Sequence, residues 1–393
     1  PGCCTALFSF FFSFFFSWLL FPLFWLLFFA VLFFPGTPLL GLLCTVSDSL
    51  LTLLENFAGA AADLDFASLV TGRPPAVYFA LVWIALILLL LSVEKKQRDI
   101  RVLGFLMAAV GLFFFAHQLD PSGKVVMLDV GQGDAILIIT PFHRQAVLID
   151  TGGMLTFEKE TWQVRETATT AGEKLVSIIK AEGVKKLDRV FLTHADQDHV
   201  GSLRELAEGL PIDAVYFPKG AEGNAAFAAV LLELQSQHQV GLFPLLGKVD
   251  LEIDADFVFH ILAPLAPGEG GNEDSLVIQT SIGGLDWLFT GDLGEEGEEV
   301  LMRTYPDLKT DVLKIGHHGS ATSSSEGFLD HVQPELALIS AGKQNRYGHP
   351  DAQILERLEL RNIPIFRTDR QGAIHFLYGS EETEWRTILE NKK

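Results

Sequence analysis

Arg189-Val190-Phe191-Leu192-Thr193-His194-Ala195-Asp196-Gln197-Asp198-His199-Val200-Gly201 is where this chain declares its chemistry. An apolar run suited to a buried strand ends at Thr193, and the next six positions deliver two histidines and two aspartates. Imidazole nitrogen and carboxylate oxygen are the donors that divalent transition metals take. Gathered in one loop, His194 and Asp196 can face one ion while Asp198 and His199 face a second. Two such ions share an activated water and clamp both oxygens of a displacement. An ordinary helix start capped by aspartate accounts for one acidic residue here, not for all four donors.

Upstream, Lys124–Val130, Ala135–Thr140 and Ala146–Asp150 are β-rich apolar runs parted by turn-forming residues, which predicts an antiparallel meander. Downstream, helical patterns over about 169–182, 201–208, 224–238 and 350–360 alternate with strands near 189–193, 213–217, 256–262, 312–315 and 336–340, a mixed α/β arrangement. Leu276–Ile282, Gly283-Gly284 and Asp286–Thr290 read as a hairpin, which leaves Asp292 just past a strand end. A further apolar strand delivers His317 and His318. Adjacent side chains on an extended backbone point opposite ways, so one of the pair ligates; His318 is the expected ligand and His317 the expected phosphate contact. His349, between Gly348 and Pro350, suits a phosphate oxygen or protonation of a leaving group. Ser320, Lys343 and Arg346 are phosphate contacts by charge and donor count. Residues 154–170 are expected to form a loop near the site mouth, a candidate lid.

Taken together these segments resemble the metallo-β-lactamase fold, and within it the ComEC family of competence proteins. His194-x-Asp196-x-Asp198-His199 resembles the fold's second motif, with Asp196 where a histidine is usual. Leu148-Ile149-Asp150-Thr151-Gly152 resembles the first motif, and Leu288-Phe289-Thr290-Gly291-Asp292 the fourth, whose aspartate bridges the metals. Leu128–Ala135, Leu313–Ser320 and Asn345–Pro350 resemble further signatures of the family. The resemblance implies an αββα sandwich preceded by transmembrane helices. It also implies two divalent ions on His194, Asp196, Asp198, His199, Asp292 and His318, with Asp198, His317 and His349 in the chemistry. Where the fold often has a third-motif histidine, this chain has Gly271-Asn272-Glu273-Asp274, so Asn272 or Asp274 is expected to complete the first shell. That oxygen-rich shell favours Mn²⁺ over Zn²⁺.

The whole chain, 393 residues with 49% hydrophobic residues and 32 Phe, is too apolar to be disordered or wholly water-soluble. Residues 1–119 carry five basic and six acidic residues, which leaves a net charge of −19 on residues 120–393. These are the two expected domains, a membrane region and a hydrolase. Spans are expected at about 6–34, 76–93 and 102–117, with an amphipathic or re-entrant helix at 39–57. Lys95, Lys96, Arg98 and Arg101 between the last two spans predict a cytoplasmic loop, which puts the C-terminal domain outside the cytoplasmic membrane. Beginning at Pro1, the chain reads as the C-terminal piece of a longer polypeptide. The resemblance implies a nuclease on a DNA-uptake channel, degrading the strand that is not transported. The partners implied are single-stranded DNA, membrane lipid, other uptake proteins and the missing N-terminal part. The rivals are a hydrolase of small phosphoesters or lactones on the same fold, and a non-catalytic scaffold.

Overall fold

The structure is a computed structural model. It describes residues 36–62, 70–94, 100–153, 170–254, 257–379 and 383–389, together with Trp25, Phe28 and Phe29. The expected span at 6–34 and the candidate lid at 154–170 lie almost wholly outside the described residues. The chain divides into two compact units, Pro1–Ala116 with Lys180–Gly183, and the remainder.

In the first unit, helices run over Pro38–Ala62, Ala76–Glu94 and Ile100–Phe115. Among the described residues two helices, Ala76–Glu94 and Ile100–Leu119, are long and apolar enough to cross a membrane. Phe79 and Phe113 meet edge to face with ring centroids 4.7 Å apart, so an aromatic contact ties these two helices. The segment expected as a helix at 39–57 is helical over Pro38–Ala62, and the one expected at 102–117 begins already at Ile100.

The second unit is a four-layer sandwich of two sheets between two layers of helices. Its strands are β1 Gly123–Met127, β2 Ile136–Ile139, β3 Ala146–Ile149, β4 Leu187–Phe191, β5 Ile212–Pro218, β6 Gly241–Leu245, β7 Val249–Asp254, β8 Phe257–Ala263, β9 Val277–Ile282, β10 Leu285–Phe289, β11 Val312–Lys314, β12 Leu336–Ile339, β13 Ile365–Arg367, β14 Ile374–Tyr378 and β15 Glu384–Thr387. One sheet has the order β15-β14-β1-β2-β3-β4-β5-β6, the other β13-β12-β11-β10-β9-β8-β7. The predicted meander is β1–β2–β3, antiparallel throughout, and the predicted hairpin is β9–β10. From β3 to β6, and from β10 to β13, neighbours run parallel.

The strands of the meander are apolar at nearly every position because both their faces are buried. Val125, Met127, Ile138, Val147 and Ile149 point between the sheets, where they meet Phe191, Ile278, Trp287, Phe289 and Phe376. Their neighbours Val126, Leu137, Ile139 and Leu148 point outward under the helices Ala171–Ala181, Leu203–Gly209 and Ala225–His238. The second sheet is covered likewise, Leu288, Leu313, Ala337 and Ile339 packing with Leu301, Phe328, Leu329, Ile354 and Leu358 of the helices above them. Each such side chain contributes about 1.5–3 kcal/mol on burial. The consequence for function lies at one end of the sandwich, where the parallel strands β4, β11 and β12 release their loops close to the end of β10.

Candidate metal centre

The loop after β4 is fixed from below by Asp150, which follows β3 and is itself wholly buried. Its carboxylate accepts from the Thr193 backbone N–H at 2.7 Å, from the Thr193 hydroxyl at 2.7 Å and from His199 Nδ1 at 2.8 Å. With Nδ1 so occupied, His199 turns Nε2 into the site, the usual support for a metal-binding imidazole. There Nε2 lies 3.3 Å from Asp292 Oδ2 and 3.3 Å from His318 Nε2. His318 Nε2 is also 3.3 Å from Asp198 Oδ2 and 3.3 Å from Asp292 Oδ2. Asp198, His199, Asp292 and His318, drawn from three loops and both sheets, therefore converge on one point.

His194 is fully buried, with Nδ1 3.0 Å from the Thr193 hydroxyl and its ring 4.1 Å from that of His199. Asp196 lies more loosely, its side chain 56% exposed and Oδ2 3.7 Å from His194 Nε2. Asn272 sits in the loop next to it, since the Ala195 N–H donates to the Gly270 carbonyl at 2.8 Å. His194 Nε2 and Asn272 Oδ1 are buried and meet no hydrogen-bond partner among the described residues. Buried polar atoms are rarely left so, and these two are of the kind that dications satisfy; the donor set fits divalent metal.

Asp274 is different. Its carboxylate accepts from the backbone N–H groups of Glu269, Gly270 and Gly271 at 2.8, 2.9 and 3.3 Å, so it braces the loop and is not turned to a metal. Ser320 is also spent internally: it is nearly buried, and its hydroxyl lies 3.0 Å from that of Thr322, which in turn is 3.4 Å from His317 Nδ1. It reaches the site through His317 and makes no surface for a phosphate. Lys343 and Arg346 are exposed on the rim.

The expectation for His317 and His318 rests on an extended backbone. The backbone there is not extended; both have left-handed φ, 48° and 55°. That conformation costs a residue other than glycine on the order of 1–3 kcal/mol and commonly marks functional sites. It turns His318 inward while His317 stays at the mouth, with Nε2 3.9 Å from Asp292 Oδ2. The His349 ring follows at 5.8 Å from that of His317. Its loop is pinned by Asn345, whose amide donates to the His349 carbonyl at 2.6 Å and accepts from the His349 N–H at 2.9 Å.

Two functional residues escaped the sequence. Asp134, Asp292, His199 and His318 each bring a ligand-capable atom within 4.8 Å of the others. Asp134 nevertheless lies behind the ring: it is 3.4 Å from His318 Nδ1, beside the Ser340 carbonyl at 3.1 Å, whereas the other donors crowd Nε2. It holds His318 as Asp150 holds His199. The second residue is Lys314, whose side chain is only 1% exposed. Its ammonium pairs with Asp134, lies 3.5 Å from Asp292 Oδ1 and donates to the Gly291 carbonyl at 2.8 Å. The signal was present in both cases: an acidic residue closing a Gly-Gln-Gly turn, and a lysine inside an apolar strand. Gly133 of that turn has φ +121°, and a Cβ there would stand 2.1 Å from the Asp198 carbonyl oxygen, so the turn can press on the metal loop only as glycine.

These contacts set the charges. Burial opposes ionisation of Asp292, but His199, His318 and Lys314 overcome it and hold its carboxyl well below the usual range. Burial likewise opposes the cation of His318, yet Asp292 and Asp134 raise it to about 9. His199 is raised well above its ordinary value against burial by Asp292 and Asp150. At the mouth the balance reverses. Burial lowers His317, and burial together with the neighbouring His317 lowers His349, so both are neutral at neutral pH.

A family model described as the metallo-beta-lactamase superfamily matches residues 128–343. The chain is 37% identical over 336 residues to ComE operon protein 3 of Bacillus subtilis, covering 84% of this chain and 43% of that protein. It is 31% identical over 327 residues to competence protein ComA of Neisseria gonorrhoeae, covering 81% of this chain and 41% of that protein. It thus spans less than half the length of these relatives. Among solved structures, the metallo-beta-lactamase fold protein YhfI of Bacillus subtilis aligns with a TM-score of 0.43 at 12% identity, over 66% of this chain and 99% of that one.

Proposed function

The chain belongs to the metallo-beta-lactamase superfamily, and from that footing we propose that it is the metal-dependent phosphodiesterase of a DNA-uptake membrane protein, cutting the strand that is not transported. The observation that carries this reading is the convergence of Asp198, His199, Asp292 and His318 at 3.3 Å contacts, with His317 and His349 at the mouth. His194, Asp196 and Asn272 would hold a first ion, and Asp198, His199, Asp292 and His318 a second. Mn²⁺ is favoured over Zn²⁺ by the oxygen donors of Asp196 and Asn272. When bound, the ions supply an activated water and offset negative charge at phosphorus.

The protein's own groups do the rest. Asp198, with its side chain 20% exposed, orients the attacking water and takes its proton on a carboxylate oxygen. Neutral His317 and His349 donate N–H hydrogen bonds to the phosphate, which suits them better to charge stabilisation than to acid catalysis. Lys343 and Arg346 attract the flanking phosphates.

Lys95, Lys96, Arg98 and Arg101, clustered in sequence between the two apolar segments, support a cytoplasmic position for that stretch. The catalytic domain of a multi-pass protein would then face outward across the cytoplasmic membrane, where the discarded strand is. Its partners in this reading are single-stranded DNA, lipid, other uptake proteins and the N-terminal remainder of the polypeptide. The net charge of −19 beyond residue 119 supports a second reading, a hydrolase of small phosphoesters or lactones, because it repels a polyanion. Incubating the detergent-solubilised chain and Mn²⁺ with a single-stranded oligonucleotide and with a small phosphodiester separates the two. Cleavage of the oligonucleotide is expected; hydrolysis of the small ester alone retires the nuclease. A chain that neither binds metal nor cuts either substrate is a scaffold.

A further inference from the structure

Beside the metal mouth, the loop over residues 342–350 carries a large aromatic side chain that nothing in the metal chemistry uses. Tyr347 is 48% exposed. Its ring lies nearly parallel to that of His349, 11° off with centroids 5.8 Å apart, and the His349 ring is 5.8 Å from that of His317. On Tyr347 the Arg346 guanidinium carbon stands 5.0 Å from the ring centroid, and Nη2 donates to the tyrosine hydroxyl at 2.9 Å. A stair of flat π groups therefore leads from the Asp292–His317 contact to solvent.

Three observations say what this stair fits. Its neighbours Lys343, Gln344 and Asn345 are polar, and Lys343 and Gln344 are exposed, so Tyr347 is not part of a greasy patch that a lipid or an apolar protein surface would cover. The loop is preorganised, since the Asn345 amide donates to the Gly342 carbonyl at 2.9 Å as well as to that of His349 at 2.6 Å. Finally, Lys343 and Arg346 bring two cations to this loop within an acidic domain. By contrast Lys314 is buried in the centre, Arg361 lies 2.7 Å from Asp330 and Arg367 lies 2.7 Å from Asp369. Flat neutral surface flanked by cations is the recognition chemistry of an unstacked nucleobase joined to a phosphate, and it is indifferent to base identity.

We propose that Tyr347, with Arg346 beside it, is a stacking ledge for an unpaired nucleobase of the strand whose neighbouring phosphate enters the His317–His318 mouth. The ledge rests on the phosphodiesterase reading and adds to it a requirement for single-stranded substrate. A base held in a duplex has no free face to offer.

The test measures binding of a fluorescent oligothymidylate, and of the same oligomer with abasic positions, to the full detergent-solubilised chain without metal, and cleavage of both with Mn²⁺. Loss of the bases is expected to weaken binding to the unaltered protein about tenfold. Tyr347→Ala is expected to weaken binding of the intact oligomer by a similar factor and to abolish the difference between the two oligomers, while Tyr347→Trp retains it. Mn²⁺ binding by calorimetry checks that the variants keep the centre. An abasic penalty as large in Tyr347→Ala as in the unaltered protein, with DNA still cleaved, overturns the ledge and leaves the nuclease standing. Hydrolysis of a small phosphodiester with no binding of either oligomer overturns both.

Discussion

Lys314 and Asp134 form a buried pair whose members cannot be removed singly. Taking away the ammonium removes the chief counter-charge of buried Asp134 and leaves buried Asp292 to His199 and His318 alone. Loss of one partner from such a pair costs about 3–5 kcal/mol. Lys314→Met is therefore expected to lower the unfolding temperature of the metal-free chain markedly, and added Mn²⁺ to restore part of the loss by resupplying positive charge. Asp198→Ala should behave oppositely. Its carboxylate is partly exposed, so the metal-free unfolding temperature should stay nearly constant while kcat falls by ~10²–10⁴-fold. Comparable loss of metal-free stability would make Asp198 structural and not catalytic.

The same residues predict how loading depends on pH. His318 is raised to about 9 and His199 well above its usual value, so both carry protons at pH 7 in the metal-free protein. A metal must displace them, and calorimetry at pH 7 in buffers of different ionisation enthalpy should register release of about two protons per centre. Affinity should rise with pH up to about 9. Release of no proton would place the ion elsewhere.

Among the elements, the loop 316–325 is clamped from the helix Glu295–Thr304. Glu298 is 2% exposed and accepts from the backbone N–H groups of Ser324 and of Ser325, the latter at 2.9 Å. The Ser324 hydroxyl accepts from the Gly316 N–H at 3.2 Å, immediately before the two histidines. Burial pushes the Glu298 carboxyl up to about 7 although both N–H groups favour its anion. The folded chain thus holds this proton more tightly than the unfolded chain, whose carboxyl titrates near 4.5. Stability contributed by the neutral form is complete below the lower value and is lost as pH rises through about 7, a loss of about 3 kcal/mol. Unfolding free energies measured from pH 5 to pH 8 should show that decline, and Glu298→Gln should flatten it. An unchanged slope in the variant would assign the titration to another group.

The reading of elements from sequence succeeded where one period dominated. The meander and the hairpin were visible because short apolar runs were cut by Gly and turn residues. The strands β6, β7, β13, β14 and β15 were not anticipated. β6 contains Pro244 and β7 alternates with Asp250, Glu252 and Asp254, so their apolar pattern is weak and their pairing is decided by the sheet they join. The site was visible where ligands cluster in sequence, as at His194–His199. Asp134 escaped because its role is defined by His318 and Lys314, some 180 positions away in the chain. Residue type and spacing leave Asn272 and Asp274 as alternatives, because they cannot tell a carboxylate that ligates from one that ties down three backbone N–H groups, as Asp274 does.

For the molecule as a whole, charge governs how substrate arrives. With −19 on residues 120–393 and few cations at the mouth, DNA should bind weakly and with little salt dependence. Two phosphate contacts, by Lys343 and Arg346, correspond to a slope of log affinity against log salt of about −1 to −2 for a single strand. A slope steeper than about −4, measured by anisotropy on the full chain, would mean a basic groove that the rim does not provide.

The catalytic groups are also split between the two sheets: Asp198 and His199 hang from one, Asp292 and His318 from the other. A bound ion would consequently act as a rivet through the seam of the sandwich. Misplacement by about 1 Å is enough to cost ~10²-fold in rate. Whatever levers one sheet slightly against the other would then disturb the centre while every ligand remains intact, a mechanical sensitivity built into the seam itself.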